Sequence, residues 1–239
     1  MIAAKSLSGA LIVAALAWPG PSVPLTIKSG TAWPGAEIPV CWEDTSHNRR
    51  QERDLIRKAV RWTWERESAV RFTGWRKCRP GDAGVHIGFE STYPKTAGRG
   101  SEIDGVPGGV QLPTLWSLAA LSINMKAPVH EFGHVLGFGH EYARPDIAER
   151  ARCGAMIDGV PYIENDQALT PYDEHSIMVG CRPGATVRFS SGVPSLSAGD
   201  IFGLVQTYGS HPDNVLDMDE AGDRFGAAVL IEDLDSDGV

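Results

Sequence analysis

The chain predicts an α+β fold, and three observations carry that expectation. Short strand-like segments fall between residues 37 and 90. One helical pattern, residues 48–68, interrupts them, and strongly apolar helical patterns follow. Strands with a single helix first and helices later read as a twisted, mostly N-terminal sheet packed on helices.

The elements follow in chain order. Met1 and Lys5, with no acidic residue nearby, open a short positive segment, and "LSGALIVAAL" (Leu7 to Leu16) is its apolar sequel. "ALA" at Ala15 to Ala17 is a small-x-small cleavage pattern, so residues 1–17 read as a signal peptide cut before Trp18. The apolar run is about ten residues, short of the roughly 20 that span a bilayer, so no stable membrane insertion is expected after cleavage. Residues 18–36 are rich in Pro and Gly and read as an irregular lead-in. "EIPVCW" (Glu37 to Trp42) is a short strand. In Asn48 to Ser68 the apolar stripe is Leu55, Ile56, Ala59, Val60 and Thr63, with Trp62 and Trp64 at its edges. "VRFTGW" (Val70 to Trp75) and "GVHIGFE" (Gly84 to Glu90) are further strands, and His86 within the second reads as structural. Val110 to Leu112 is expected as a short edge strand in a Gly- and Pro-rich stretch. From Leu115 the chain turns apolar and helical up to Gly137. "SLSAGDIFGLVQTYG" (Ser195 to Gly209) is a C-terminal helix with Ser197 as N-cap. The main domain is thus expected over residues 37–210, followed by an acidic tail, 211–239.

Composition bounds the function. With 239 residues, 42% apolar and 22% charged, the chain has room for one good-sized globular domain. A net charge of -8 and the lack of any basic block argue against nucleic acid or an anionic membrane as the main partner. Four cysteines, Cys41, Cys78, Cys153 and Cys181, lack the close spacing of a structural zinc site. Export to an oxidising compartment makes two disulfides the natural reading, and of three pairings Cys41–Cys78 with Cys153–Cys181 staples each half of the domain.

The chemistry lies in "HEFGHVLGFGH", residues 130 to 140. In a helix, residues four apart lie one turn apart on one face, so His130 and His134 aim two imidazoles at one point. Neutral imidazole nitrogens bind zinc at about 2.0 to 2.1 Å, which makes the pair a two-ligand claw. Glu131 flanks the claw within reach of a metal-activated water. On a continued helix His140 would sit about 9 Å beyond His134 and point away. Gly137, three residues after His134, supplies a left-handed helix end, and Gly139 loosens the next step. The chain then turns back and His140 closes a third ligand position, leaving a fourth open as in a catalytic zinc site.

These residues resemble a known family. "HEFGHVLGFGHE" matches HExxHxxGxxH, the signature of the metzincin metalloendopeptidases. "GFGHEYARPD", with Arg144 and Asp146, and the later "YDEHSIMVG" (Tyr172 to Gly180) resemble the astacin branch and its Met-turn. The resemblance implies a secreted zinc endopeptidase acting on proteins or peptides. His130, His134 and His140 would hold zinc, Glu131 would serve as general base, and Met178 would form a hydrophobic floor beneath the metal. The segment Gly109 to Leu112 would align an extended substrate. One departure is Gly180, where astacins usually carry a Tyr. That departure is the feature favouring a different class, a catalytically silent zinc-binding or extracellular adhesion module.

The tail has a resemblance of its own. "GDRFGAAVLIEDLDSDGV" resembles the start of an FG-GAP repeat of the integrin-propeller type. Asp233, Asp235 and Asp237 alternate there as oxygen ligands for Ca2+ would, with Gly238 at the turn, against the plainer reading of a solvated acidic tail.

Overall fold

The computed structural model describes residues 25–113, 125–141, 166–169, 172–173, 175–179, 189–190 and 193–212. The expected signal peptide, Cys153, Gly180, Cys181 and the tail from residue 213, with Asp233, Asp235 and Asp237, lie outside the described residues.

The α+β architecture expected from the pattern is present. Strands β1 (Thr26–Lys28) and β2 (Glu37–Trp42) precede helix α1 (Arg50–Val60). Then come β3 (Arg71–Lys77), β4 (Val85–Gly88), β5 (Lys95–Thr96), β6 (Val110–Gln111) and helix α2 (Lys126–Val135). Strands β7 (Asp166–Ala168), β8 (Phe189–Ser190) and β9 (Val193–Pro194) lead to helix α3 (Ala198–Tyr208). The central sheet has the order β3-β2-β4-β6-β5, parallel except for the antiparallel β5–β6 pair. The return from β2 to parallel β3 is the α1 crossover that parallel pairing demands.

Helix α1 continues through a π turn, Arg61–Glu65. The extra residue in that turn shifts the helix's phase. Trp64, expected at the edge of the apolar stripe, is instead fully buried, while Trp62 remains 42% exposed. The Trp64 indole N–H donates to the Val129 carbonyl of α2 at 2.8 Å, so α1 is bonded to α2 as well as packed on it.

The sheet reaches α2 through a bulge. The β2–β3 register shifts between Val40 and Cys41, opposite Gly74 and Trp75, both at positive φ. A Cβ at Gly74 would meet the Val40 carbonyl oxygen at 2.9 Å, so only glycine fits. The bulge re-aims Trp75 onto Trp42 and onto Phe132 of α2, with ring centroids 5.3 and 5.9 Å apart.

Two expectations need correcting. The edge strand is not Val110 to Leu112: β6 is paired on both sides, and β5, Lys95–Thr96, forms the edge on that side of the sheet among the described residues, with β3 at the other end. The lead-in is not irregular throughout, because Thr26–Lys28 pairs antiparallel with β7, and Leu25 beside it is fully buried. A three-residue strand inside a Pro- and Gly-rich stretch carries too short a period to be seen in sequence.

Cys41 and Cys78 form the expected disulfide, tying β2 to the segment after β3 across 37 residues. His86 is buried beside it, and its Nε2 bonds the Asp82 carbonyl at 2.9 Å, in keeping with a structural role. Replacing both cysteines by serine is expected to lower the unfolding free energy by about 3 to 4 kcal/mol. Urea unfolding of the double variant beside the oxidised wild type measures this, and coincident curves would contradict it.

Candidate active site

Helix α2 buries Val129, Phe132 and Val135 completely, and with its C-cap residue Leu136, also fully buried, they form one apolar stripe at helical spacing. Pro128 falls in the first turn, where its missing N–H breaks no intrahelical bond. His130 and His134 project from another face, one turn apart.

The helix stops as the sequence requires. Gly137 has φ +94°, the Phe138 N–H donates to the Gly133 carbonyl at 3.0 Å, and the Gly137 N–H donates to the His134 carbonyl at 2.9 Å. These are the two bonds of a Schellman motif. The remaining end carbonyls are capped by side chains distant in sequence: the Trp33 indole N–H donates to Val135 at 2.7 Å and the Tyr208 hydroxyl to Leu136 at 2.8 Å. Beyond the bend, β1 takes up the chain: Gly139 N–H donates to the Thr26 carbonyl at 2.9 Å, Lys28 N–H to Gly137 at 3.3 Å, and Ile27 bridges Phe138.

The reversal brings His140 to the claw. Its Nε2 lies 3.0 Å from Nε2 of His130 and 3.0 Å from Nε2 of His134. On the far side of two rings, Nδ1 of His130 faces the Ile177 carbonyl and Nδ1 of His134 the Phe138 carbonyl, each at 2.8 Å. A carbonyl only accepts, so these neutral imidazoles carry their protons on Nδ1 and direct Nε2 lone pairs inward. Burial favours the neutral state, pushing His130 down to about 4, His134 to about 3 and His140 well below its ordinary value. Two inward lone pairs that meet the His140 Nε2 at 3.0 Å form a donor set that a cation can join. Tetrahedral coordination at about 2.05 Å places ligand nitrogens roughly 3.3 Å apart, so this donor set fits zinc with small adjustment. Lys126 lies on the His130 side and Arg99 on the side of His134 and His140, both close enough to disfavour further positive charge on the rings.

Glu131, 4% exposed, follows His130 on α2, and its Oε2 accepts the Thr96 hydroxyl of β5 at 2.6 Å. Desolvation raises its pKa to about 7, opposed by the Thr96 bond.

Met178 is fully buried against α2. Its turn is anchored from α3 by Asp200, also fully buried, which accepts from the Ser176 hydroxyl (2.6 Å) and the Ile177 N–H (2.9 Å). Ile177 in turn accepts from His130, so α3 fixes the orientation of one imidazole through two links. Glu141, next to His140, is buried and ties in as well: its N–H donates to Met178 and its Oε2 accepts from the Asp173 N–H, both at 3.1 Å. Sequence reading named the three histidines, Glu131 and Met178, and the structure brings the histidines together and buries Met178 against α2. The reading missed Thr96, Asp200, Trp33 and Tyr208, because no local pattern links them to residues up to 102 positions away.

Gly133 admits the methionine. A Cβ there would lie 2.3 Å from Met178 Sδ and 3.1 Å from the Trp64 ring. Gly133→Ala is therefore expected to lower stability by about 1 to 3 kcal/mol and to weaken zinc binding. Thermal melts and zinc titration check this, and wild-type values in both would contradict it.

The model of the Astacin family of peptidases matches residues 25–152, from β1 through the three histidines. The solved structure of myroilysin has a similar fold, with TM-score 0.58 and 19% identity over 78% of this chain and 99% of that chain. High choriolytic enzyme 1, a hatching enzyme zinc-protease from Oryzias latipes (medaka fish), gives TM-score 0.49 and 20% identity over 77% of this chain and 96% of that one. No curated protein matches the sequence. The family match spans more than half of the chain and encloses the three converging imidazoles: the chain belongs to the astacin peptidase family, as an astacin-like metzincin and zinc metalloendopeptidase.

Proposed function

We propose that the protein is a secreted endopeptidase that hydrolyses peptide bonds of protein or peptide substrates, with His130, His134 and His140 holding one zinc ion and Glu131 as general base. The observation that carries this reading is the meeting of three Nε2 atoms, 3.0 Å apart through His140, with two of the rings locked by Nδ1–carbonyl bonds. Zinc held there by the three histidines would supply Lewis acidity toward the scissile carbonyl and the attacking water.

The chain's own groups do the rest. Glu131 is one residue from His130 and nearly dry, and with Oε2 held by Thr96 its Oε1 is left to take the proton of the attacking water. The same carboxyl then delivers that proton to the departing amine. A cation held by the three histidines would favour the ionised carboxylate against the burial that raises its pKa. Strand β5 replaces Gly109 to Leu112 as the edge that receives an extended substrate by backbone hydrogen bonds. The Cys41–Cys78 disulfide supports an oxidising, extracellular destination.

Zinc-loaded wild type is expected to cleave a denatured protein, and Glu131→Gln to lose roughly 100-fold or more in kcat with zinc retained. Chelation should abolish cleavage and added zinc restore it. Full zinc occupancy with no Glu131-dependent cleavage would contradict the proposal and favour the silent zinc-binding module.

A further inference from the structure

The geometry points to Thr96 as a positioning residue that fixes the Glu131 carboxylate from the same strand that receives the substrate. This rests on the reading of Glu131 as general base.

Three observations meet at Thr96. Its hydroxyl donates to Glu131 Oε2 at 2.6 Å, a charge-assisted bond in a part-buried setting. Thr96 belongs to the two-residue strand β5, one of the two edges of the sheet among the described residues and the one bonded to Glu131. Its backbone, moreover, faces outward. In an antiparallel ladder successive residues alternate between pointing at the partner strand and away from it. The N–H of Ala97 donates to Gly109 at 2.8 Å, so Ala97 and, two residues earlier, Lys95 point toward β6. Thr96, opposite Val110, therefore presents its N–H and C=O away from β6, to a side that no strand pairs among the described residues. One residue offers main-chain groups to an incoming extended peptide while its side chain grips the base.

The consequence is specific. Glu131 has a flexible side chain on a rigid helix, and general-base catalysis needs one oxygen within hydrogen-bond reach of the water's proton. A hydroxyl on Oε2 removes one rotational choice and leaves Oε1 for proton transfer. Because the hydroxyl comes from the docking strand, the carboxylate is placed relative to the substrate backbone and not only to the imidazoles. Valine copies threonine's shape and strand preference but cannot donate, so it isolates the hydroxyl.

The test compares Thr96→Val, Thr96→Ser, Glu131→Gln and the double variant Thr96→Val/Glu131→Gln as zinc-loaded full chains. Readouts are kcat and KM on one peptide, zinc content, and affinity for an extended peptide that is not cleaved. Thr96→Val is expected to lower kcat roughly 10- to 100-fold with KM, zinc content and peptide affinity within about twofold of wild type. Thr96→Ser should recover most of the kcat. The double variant should be no slower than Glu131→Gln alone, since both changes strike one unit. If Thr96→Val does not fold, Thr96→Ala removes the same donor and is judged by the same kcat and KM split. Wild-type kcat in the folded Val or Ala variant, with Glu131→Gln inactive, overturns the role of Thr96. Full activity in Glu131→Gln overturns the general-base reading instead. A loss confined to KM or to zinc content assigns Thr96 to docking or folding and also overturns the inference.

Discussion

The site depends on a single backbone reversal, the turn that ends α2 three residues past His134. Without it the third imidazole would continue along the helix and the first two would remain a bidentate claw on one face. Gly137 at φ +94° makes the turn locally inexpensive, and the paired bonds from Phe138 and Gly137 to the helix carbonyls give it a defined shape. Local geometry alone does not determine where His140 lands. That is set by β1, which pairs with residues 137–139 as a neighbouring strand would.

The reversal is supported from several directions. Trp33 and Tyr208 satisfy the carbonyls of Val135 and Leu136, which would otherwise be buried acceptors without donors. From the other side, Asp200 holds the turn bearing Met178, and that turn orients His130. Each support is a hydrogen bond between parts of the chain far apart in sequence, so the geometry of the three imidazoles and the tertiary fold are coupled. Burial also keeps all three rings neutral, the state a cation needs.

The legibility of this arrangement follows the range of the interactions. His130, Glu131, His134, Gly137 and His140 were readable because helix geometry fixes their relation within eleven residues. Strand β2 and helix α3, with its Ser197 cap, were readable because period and cap are local signals. Strand β1 and the edge position of β5 were not, since strands of two or three residues have no period and owe their existence to partners elsewhere. Trp64 misled because a π turn rotates it by one residue's worth of phase, which sequence periodicity assumes constant. Thr96 had no signal at all: a threonine in a loop-like stretch becomes meaningful only once the sheet brings it against Glu131.

X-ray absorption at the zinc edge tests the central claim most directly. The zinc-loaded protein should show three imidazole nitrogens at about 2.0 to 2.1 Å, and His140→Ala should show two. A zinc shell with only two imidazoles in the wild type, unchanged when His140 is removed, would show that the reversal after His134 does not build the metal site.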